Sequence, residues 1–181
     1  SKQLGVGYII APMVETPYAL RKFINARELV YSEEEAKDTK FLFNCETRTT
    51  FENIDEMINI CKANTNLIDG IVFGRVDYVG SLGLSRNDIE SGRVTRDVLT
   101  ISEKCKEINM DFVVGGAVSY DAKENLNLFL NSYLSRFETR KVIFNGNALT
   151  KTTLRKALKD AVHFELLWLF NKREYYSRMH K

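Results

Sequence analysis

Three acidic residues stand where a carboxylate can do chemistry. Glu15 follows the run Ile9-Ile10-Ala11-Pro12-Met13-Val14, Glu46 follows Phe41-Leu42-Phe43-Asn44-Cys45, and Asp77 follows Ile71-Val72-Phe73-Gly74-Arg75-Val76. Each run reads as a strand, so each acid is expected at a strand end, where α/β proteins gather their functional groups. Carboxylates held close repel one another and need a compensating charge. A divalent cation supplies it. Two carboxylates, with the remaining positions left to water and substrate, describe a Mg²⁺ or Mn²⁺ site. The rival reading has these acids cap the helices that follow, or pair with Arg48, Arg75 or Arg140. Glu15, immediately before Thr16-Pro17, suits that rival role.

The segment from Phe73 to Gly83 adds a second chemical feature. Gly74 lets a ligand approach the backbone closely. Amides around Val76 and Asp77 can then bind a carboxylate or an enolate oxygen, unless the segment is a plain turn. Gly115-Gly116 ends another strand-like run and permits the same close approach without forming a nucleotide-binding pattern.

These residues need elements to hold them. Strand-like runs, apolar on both faces as buried parallel strands are, occupy 6–13, 40–44, 70–74, 112–115 and 141–144. Helical stripes lie between them. Thr16 and Pro17 open one that carries Leu20, Phe23, Ile24 and Arg27. Ile54, Met57, Ile58 and Cys61 form a second, and Val98, Ile101, Cys105 and Ile108 a third. Ser119 caps a fourth with Ala122, Leu126, Phe129 and Leu130. The charged stretch Arg136-Phe137-Glu138-Thr139-Arg140 opens the last strand and receives no role. The repeat length of roughly 30 to 40 residues is that of one β-α unit.

Composition bounds the function. The 181 residues are 44% hydrophobic and 28% charged with a net charge of +2, which fits one folded domain over 1–181 and excludes a strongly basic nucleic-acid binder. Cys45, Cys61 and Cys105 form no metal-binding pair and read as free thiols of a reducing, cytoplasmic setting. The two histidines, His163 and His180, exclude a histidine-rich metal site. No apolar run approaches the roughly 20 residues of a membrane span, so no membrane partner is expected.

Alternating units give an α/β fold with a parallel sheet, either open or closed into a (β/α)8 TIM-type barrel. The five units over 1–146 fall short of eight. Lys2-Gln3-Leu4 followed by Gly5 reads as the tail of a helix, so the chain is expected to be the C-terminal part of a barrel whose first three units are absent from it. After the units, one long helix is expected from Thr150 to about Tyr176. Its stretch Leu166-Leu167-Trp168-Leu169-Phe170 is apolar all round, which points to a homo-oligomer formed through this helix, or to a helix covering exposed core.

At these motifs the sequence resembles the HpcH/HpaI aldolase and citrate-lyase beta-subunit family, over about Gly5 to Phe144. Ala11-Pro12-Met13-Val14-Glu15-Thr16 is similar to one strand end of that family. Asn44-Cys45-Glu46-Thr47 is similar to another, whose glutamate is a metal ligand. Asp69-Gly70-Ile71-Val72-Phe73-Gly74-Arg75-Val76-Asp77, with Leu82-Gly83, is similar to a third, whose second aspartate is the other ligand. The resemblance implies that Glu46 and Asp77 bind Mg²⁺ or Mn²⁺, and that Met13, Gly74, Arg75, Val76 and Asp77 contact a pyruvate-like substrate. It implies a metal-dependent carbon–carbon lyase acting through an enolate, on a small 2-oxo acid or, in the citrate-lyase-like branch, an acyl-CoA. Family members place an arginine, and in some branches a histidine base, on early strands that this chain is expected to lack, so no catalytic residue is assigned. The alternative from another class is a non-catalytic barrel remnant serving as an interaction module.

Overall fold

The computed structural model describes residues 1–179. Five parallel strands lie side by side in chain order: β1 (Tyr8–Ala11), β2 (Lys40–Cys45), β3 (Gly70–Gly74), β4 (Asp111–Gly115) and β5 (Arg136–Glu138). A sixth, β6 (Ile143–Asn145), returns antiparallel to β5. Helices α1 (Pro17–Val30) and α2 (Glu33–Ala36) follow β1, and α3 (Arg48–Glu52) and α4 (Ile54–Ala63) follow β2. Next come α5 (Arg75–Ser81) and α6 (Gly92–Glu107) after β3, α7 (Lys123–Tyr133) after β4, and α8 (Leu154–Met179) last.

Strand alternation divides the sheet into two faces. On the outer face Phe41, Phe43, Cys45, Ile71, Phe73, Phe112, Val114 and Phe137 are buried against the helices. Helix α6 supplies Val94, Val98, Ile101 and Cys105, spaced to form one stripe. Each large side chain buried there contributes about 1.5–3 kcal/mol, so this face holds the fold together. The inner face is built differently. Ile10, Leu42, Val72 and Val113 make one thin apolar layer. Below it lie Tyr8, Lys40, Asp111 and Arg136, and above it, at the strand ends, Asn44, Gly74, Gly115 and Glu138.

The inner face is concave. Arg136 Nη1 donates to the Tyr8 hydroxyl at 3.3 Å, and its guanidinium lies 4.6 Å from the Tyr8 ring centre. Those residues sit on β5 and β1, four strand spacings apart, about 19 Å in a flat sheet. Only a curled sheet brings them together, so the described residues form a curled half-barrel of α/β type whose outer strands β1 and β6 remain edges.

Three expectations about the elements change. Ser119 does not cap the fourth helix: α7 starts at Lys123, the residue before it is Ala122, and no side chain caps it. The strand expected at 141–144 is not the fifth parallel strand. That place belongs to Arg136–Glu138, while Ile143–Asn145 runs antiparallel. The reason is burial on one face only. Phe137 points into the core and the charged Arg136 and Glu138 into the concave side, so the element lacks the continuous apolar run of its neighbours. β1 is also shorter than 6–13, because Met13 takes a left-handed backbone, φ 57°, that ends it.

Other features agree with the sequence. Thr16 caps α1 by accepting from the Ala19 amide at 3.2 Å, and Gly5 ends the short turn Lys2–Leu4 with φ 61°. Cys45, Cys61 and Cys105 are free and buried, and burial pushes the Cys61 thiol up to about 12. Helix α8 buries only Leu154, Leu158 and Ala161, leaving Leu167 and Phe170 more than half exposed, at 55% and 53%. No helix among the described residues is long and apolar enough to cross a membrane.

Two substitutions test this arrangement. A Cβ on Gly70 would lie 2.5 Å from the Asp111 carbonyl oxygen. Gly70→Ala is therefore expected to cost about 1–3 kcal/mol in urea unfolding, and an unchanged midpoint contradicts the close approach of β3 and β4. Burial raises the Asp111 carboxyl, but hydrogen bonds from Lys40 Nζ at 3.0 Å and Arg136 Nη2 at 2.9 Å outweigh it and hold it below its ordinary value. That stabilisation is complete above the unfolded value of about 3.9 and is lost as pH falls through the lower folded one. Asp111→Asn is accordingly expected to lower Tm at neutral pH, with the deficit shrinking towards pH of about 2. A pH-independent deficit contradicts the ion pairs.

Candidate functional site

Strand ends β2 to β5 open into a cavity of about 660 Å³ lined by Glu46, Asp77 and Glu138 together with Gly74, Gly115 and Gly116. Its floor consists of two glycines. Gly74 and Gly115 are paired residues of β3 and β4. A Cβ on Gly74 would lie 3.0 Å from the Glu46 Cβ, and one on Gly115 would lie 2.8 Å from Glu138 Oε1. The glutamates of β2 and β5 thus lean in from either side over strands that carry no side chain at that level.

Local chemistry leaves Glu46 available. The residue after it, Thr47, caps α3 by accepting from the Thr50 amide at 3.2 Å, as Thr16 does for α1, so neither cap falls to a glutamate. The candidate arginines have other partners: Arg48 pairs with Glu52 at 2.6 Å, Arg75 with Glu90 at 3.0 Å and, on the cavity lining itself, Arg140 with Glu165 at 3.5 Å. The Glu46 carboxylate instead accepts from Asn44 Nδ2 at 2.9 Å and from the Met13 amide at 3.3 Å. These donors fix its orientation and leave lone pairs over. Asp77 stands exposed in the first turn of α5, its carboxylate free of hydrogen bonds to described residues.

The structure brings Glu46, Gly74, Val76 and Asp77 to one cavity and places three other residues elsewhere. The Glu15 carbonyl accepts from Asn53 Nδ2, and Glu15 does not line the cavity. Met13 contributes its amide to Glu46, while its side chain is 65% exposed and outside the cavity. Arg75 occupies a different place from the expected substrate contact. Its side chain is wholly buried, with Nη2 donating to the Gly116 carbonyl at 2.8 Å, Nε to that of Gly115 at 3.4 Å and Nη1 to Glu90. Asn125 holds Glu90 from the other side. Burial pulls the guanidinium below its ordinary value, against the attraction of Glu90. Arg75 is a brace between β3 and the glycine turn after β4.

Glu138 escaped the sequence reading. Burial pushes its carboxyl above the ordinary value, against the attraction of Arg136. The signal that could have found it is the alternation Arg136-Phe137-Glu138, one apolar residue between two charged ones, which is the pattern of a strand buried on a single face.

The donor set suits a hard divalent cation. Glu46 and Asp77 both line the cavity, and among the described residues no group of three or more His, Cys, Asp or Glu is placed to hold a metal ion. Two carboxylates with open positions match Mg²⁺, which keeps several of its waters.

The sequence model of the HpcH/HpaI aldolase/citrate lyase family matches residues 2–120. No curated protein matches. Solved structures share the fold. RipC from Yersinia pestis is 13% identical, with a TM-score of 0.58 over 76% of this chain and 60% of that one. An HpcH/HpaI aldolase/citrate lyase family protein from Burkholderia cenocepacia is 15% identical, with a TM-score of 0.56 over 74% and 58%. The HpcH/HpaI aldolase from Desulfitobacterium hafniense DCB-2 is 15% identical, with a TM-score of 0.57 over 88% and 65%. The chain thus spans about three fifths of the length of these structures.

Removing the brace tests its role. Arg75→Met leaves the Gly115 and Gly116 carbonyls without their donor and is expected to cost about 1–3 kcal/mol in thermal unfolding. Arg75→Lys recovers only part, because one ammonium cannot reproduce a planar fork. Full stability of the methionine variant contradicts the assignment.

Proposed function

The chain belongs to the HpcH/HpaI aldolase/citrate lyase family, and from that premise we propose that it forms the metal-binding part of a divalent-metal-dependent carbon–carbon lyase acting on a small 2-oxo acid. The observation that carries the reading is Glu46 and Asp77 on the wall of one cavity, their carboxylates claimed neither by helix caps nor by arginines. They are the ligands for Mg²⁺ or Mn²⁺. Held there, a divalent cation would supply Lewis acidity towards negative charge developing on a substrate oxygen.

The chain's own residues do the rest. Asn44 and the Met13 amide aim Glu46. Gly74 and Gly115 keep the floor open for a ligand. The backbone from Gly74 to Asp77 receives the substrate carboxylate. The curled half-barrel is completed to eight strands by units outside this chain, as its share of the related structures suggests. Three buried free thiols suit a reducing, cytoplasmic setting. The exposed apolar stretch of α8 is covered by a second copy of the chain, or else by those further units.

Calorimetric titration with Mn²⁺ tests the reading. One site per chain is expected, abolished by Glu46→Gln and by Asp77→Asn. Asn44→Ala removes only the partner that aims Glu46, so affinity is expected to fall about 10–100-fold. Absence of Mn²⁺ and Mg²⁺ binding, or binding indifferent to Glu46→Gln, contradicts the lyase and favours a non-catalytic interaction module.

A further inference from the structure

We propose that Glu138 is the proton-transfer group of this cavity, taking a proton from the carbon beside the substrate carbonyl and returning it, an inference that rests on the enolate reading above. The glycine floor sets the geometry. Glu46 and Asp77 lie on the β2–β3 side and Glu138 on the β5 side, with the bare strand ends at Gly74 and Gly115 between them. A small 2-oxo acid laid across that floor with its oxygens towards Glu46 and Asp77 turns its terminal carbon towards β5.

The cavity leaves Glu138 uncommitted. Its carboxylate accepts no hydrogen bond and forms no ion pair within 4.0 Å with a described residue, although ten such pairs occur elsewhere in the chain. The fourth acid of the lining, Glu165, is held by Arg140. Glu138 is not a third ligand either, since no cluster of three metal-binding side chains exists among the described residues. No lysine, histidine or cysteine lines the cavity. Burial, against the pull of Arg136, favours the protonated form of its carboxyl and so strengthens it as a base.

The step balances without a co-reactant. A Glu138 oxygen forms a bond to the proton of the α C–H. The C–H pair becomes the new C=C bond, and the carbonyl π pair moves onto oxygen to give the enolate. Reversal restores the ketone, and exchange of the acid proton with water labels the carbon.

Solvent deuterium exchange into the methyl group of pyruvate, with Mg²⁺ present, reads this step directly. Glu138→Gln is expected to slow exchange by about 100-fold or more, while Mn²⁺ affinity stays at the parental value and Tm does not fall. Glu138→Asp is expected to recover part of the rate. Exchange at the parental rate in Glu138→Gln overturns the proposal and leaves the lyase reading standing. Loss of Mn²⁺ binding in that variant overturns it as well, making Glu138 a ligand. Absence of exchange in the unaltered chain, with Mn²⁺ still bound, overturns the enolate reading and this inference together.

Discussion

Two missing Cβ atoms govern the site. Gly74 and Gly115 are neighbours across β3 and β4 at the mouth of a concave sheet, and the space a side chain would take there is filled from the flanks by Glu46 and Glu138. Alanine at either position would press on a glutamate, at 3.0 Å from the Glu46 Cβ or 2.8 Å from Glu138 Oε1. The result is a floor of bare backbone bordered by carboxylates.

The rest of the fold keeps that floor in place. The outer face of the sheet is sealed by phenylalanines and helices, which fixes the strands, while the inner face keeps only one apolar layer beneath the cavity. Below that layer Arg136 bridges Tyr8 and Asp111, tying β5 back across the concave side and setting the curl. Above it Arg75, buried with no access to the cavity, grips both carbonyls of the Gly115-Gly116 turn. A charge placed inside the wall is costly unless fully hydrogen-bonded, and Arg75 meets that condition through Glu90 and the two carbonyls. Arg75 and Arg136 are thus spent on the scaffold, while Glu46, Asp77 and Glu138 face the cavity together with Arg86 and the Arg140–Glu165 pair.

Much of this was legible in the sequence, and for identifiable reasons. β2, β3 and β4 are buried on both faces for much of their length, so their apolar runs stand out, and the acids just after β2 and in the first turn after β3 follow from those positions. Thr16 announced its helix because capping is a local matter settled by a few neighbouring residues. β5 was hidden because only Phe137 faces the core. Its charged neighbours look like loop until the curl of the sheet gives them an inner face. The role of Arg75 was equally out of reach. An arginine beside a strand end reads as a substrate contact or a surface pair, and only the path of the chain after β4 brings two carbonyls against it.

The central claim is that Glu46 and Asp77 hold a single ion between them. Anomalous diffraction from crystals soaked in Mn²⁺ tests it most directly. The account predicts one peak in the cavity, about 2.1 Å from a carboxylate oxygen of each residue, with water filling the remaining positions. Peaks on separate patches of surface, or a cavity that stays free of metal while Mn²⁺ appears elsewhere, would contradict it.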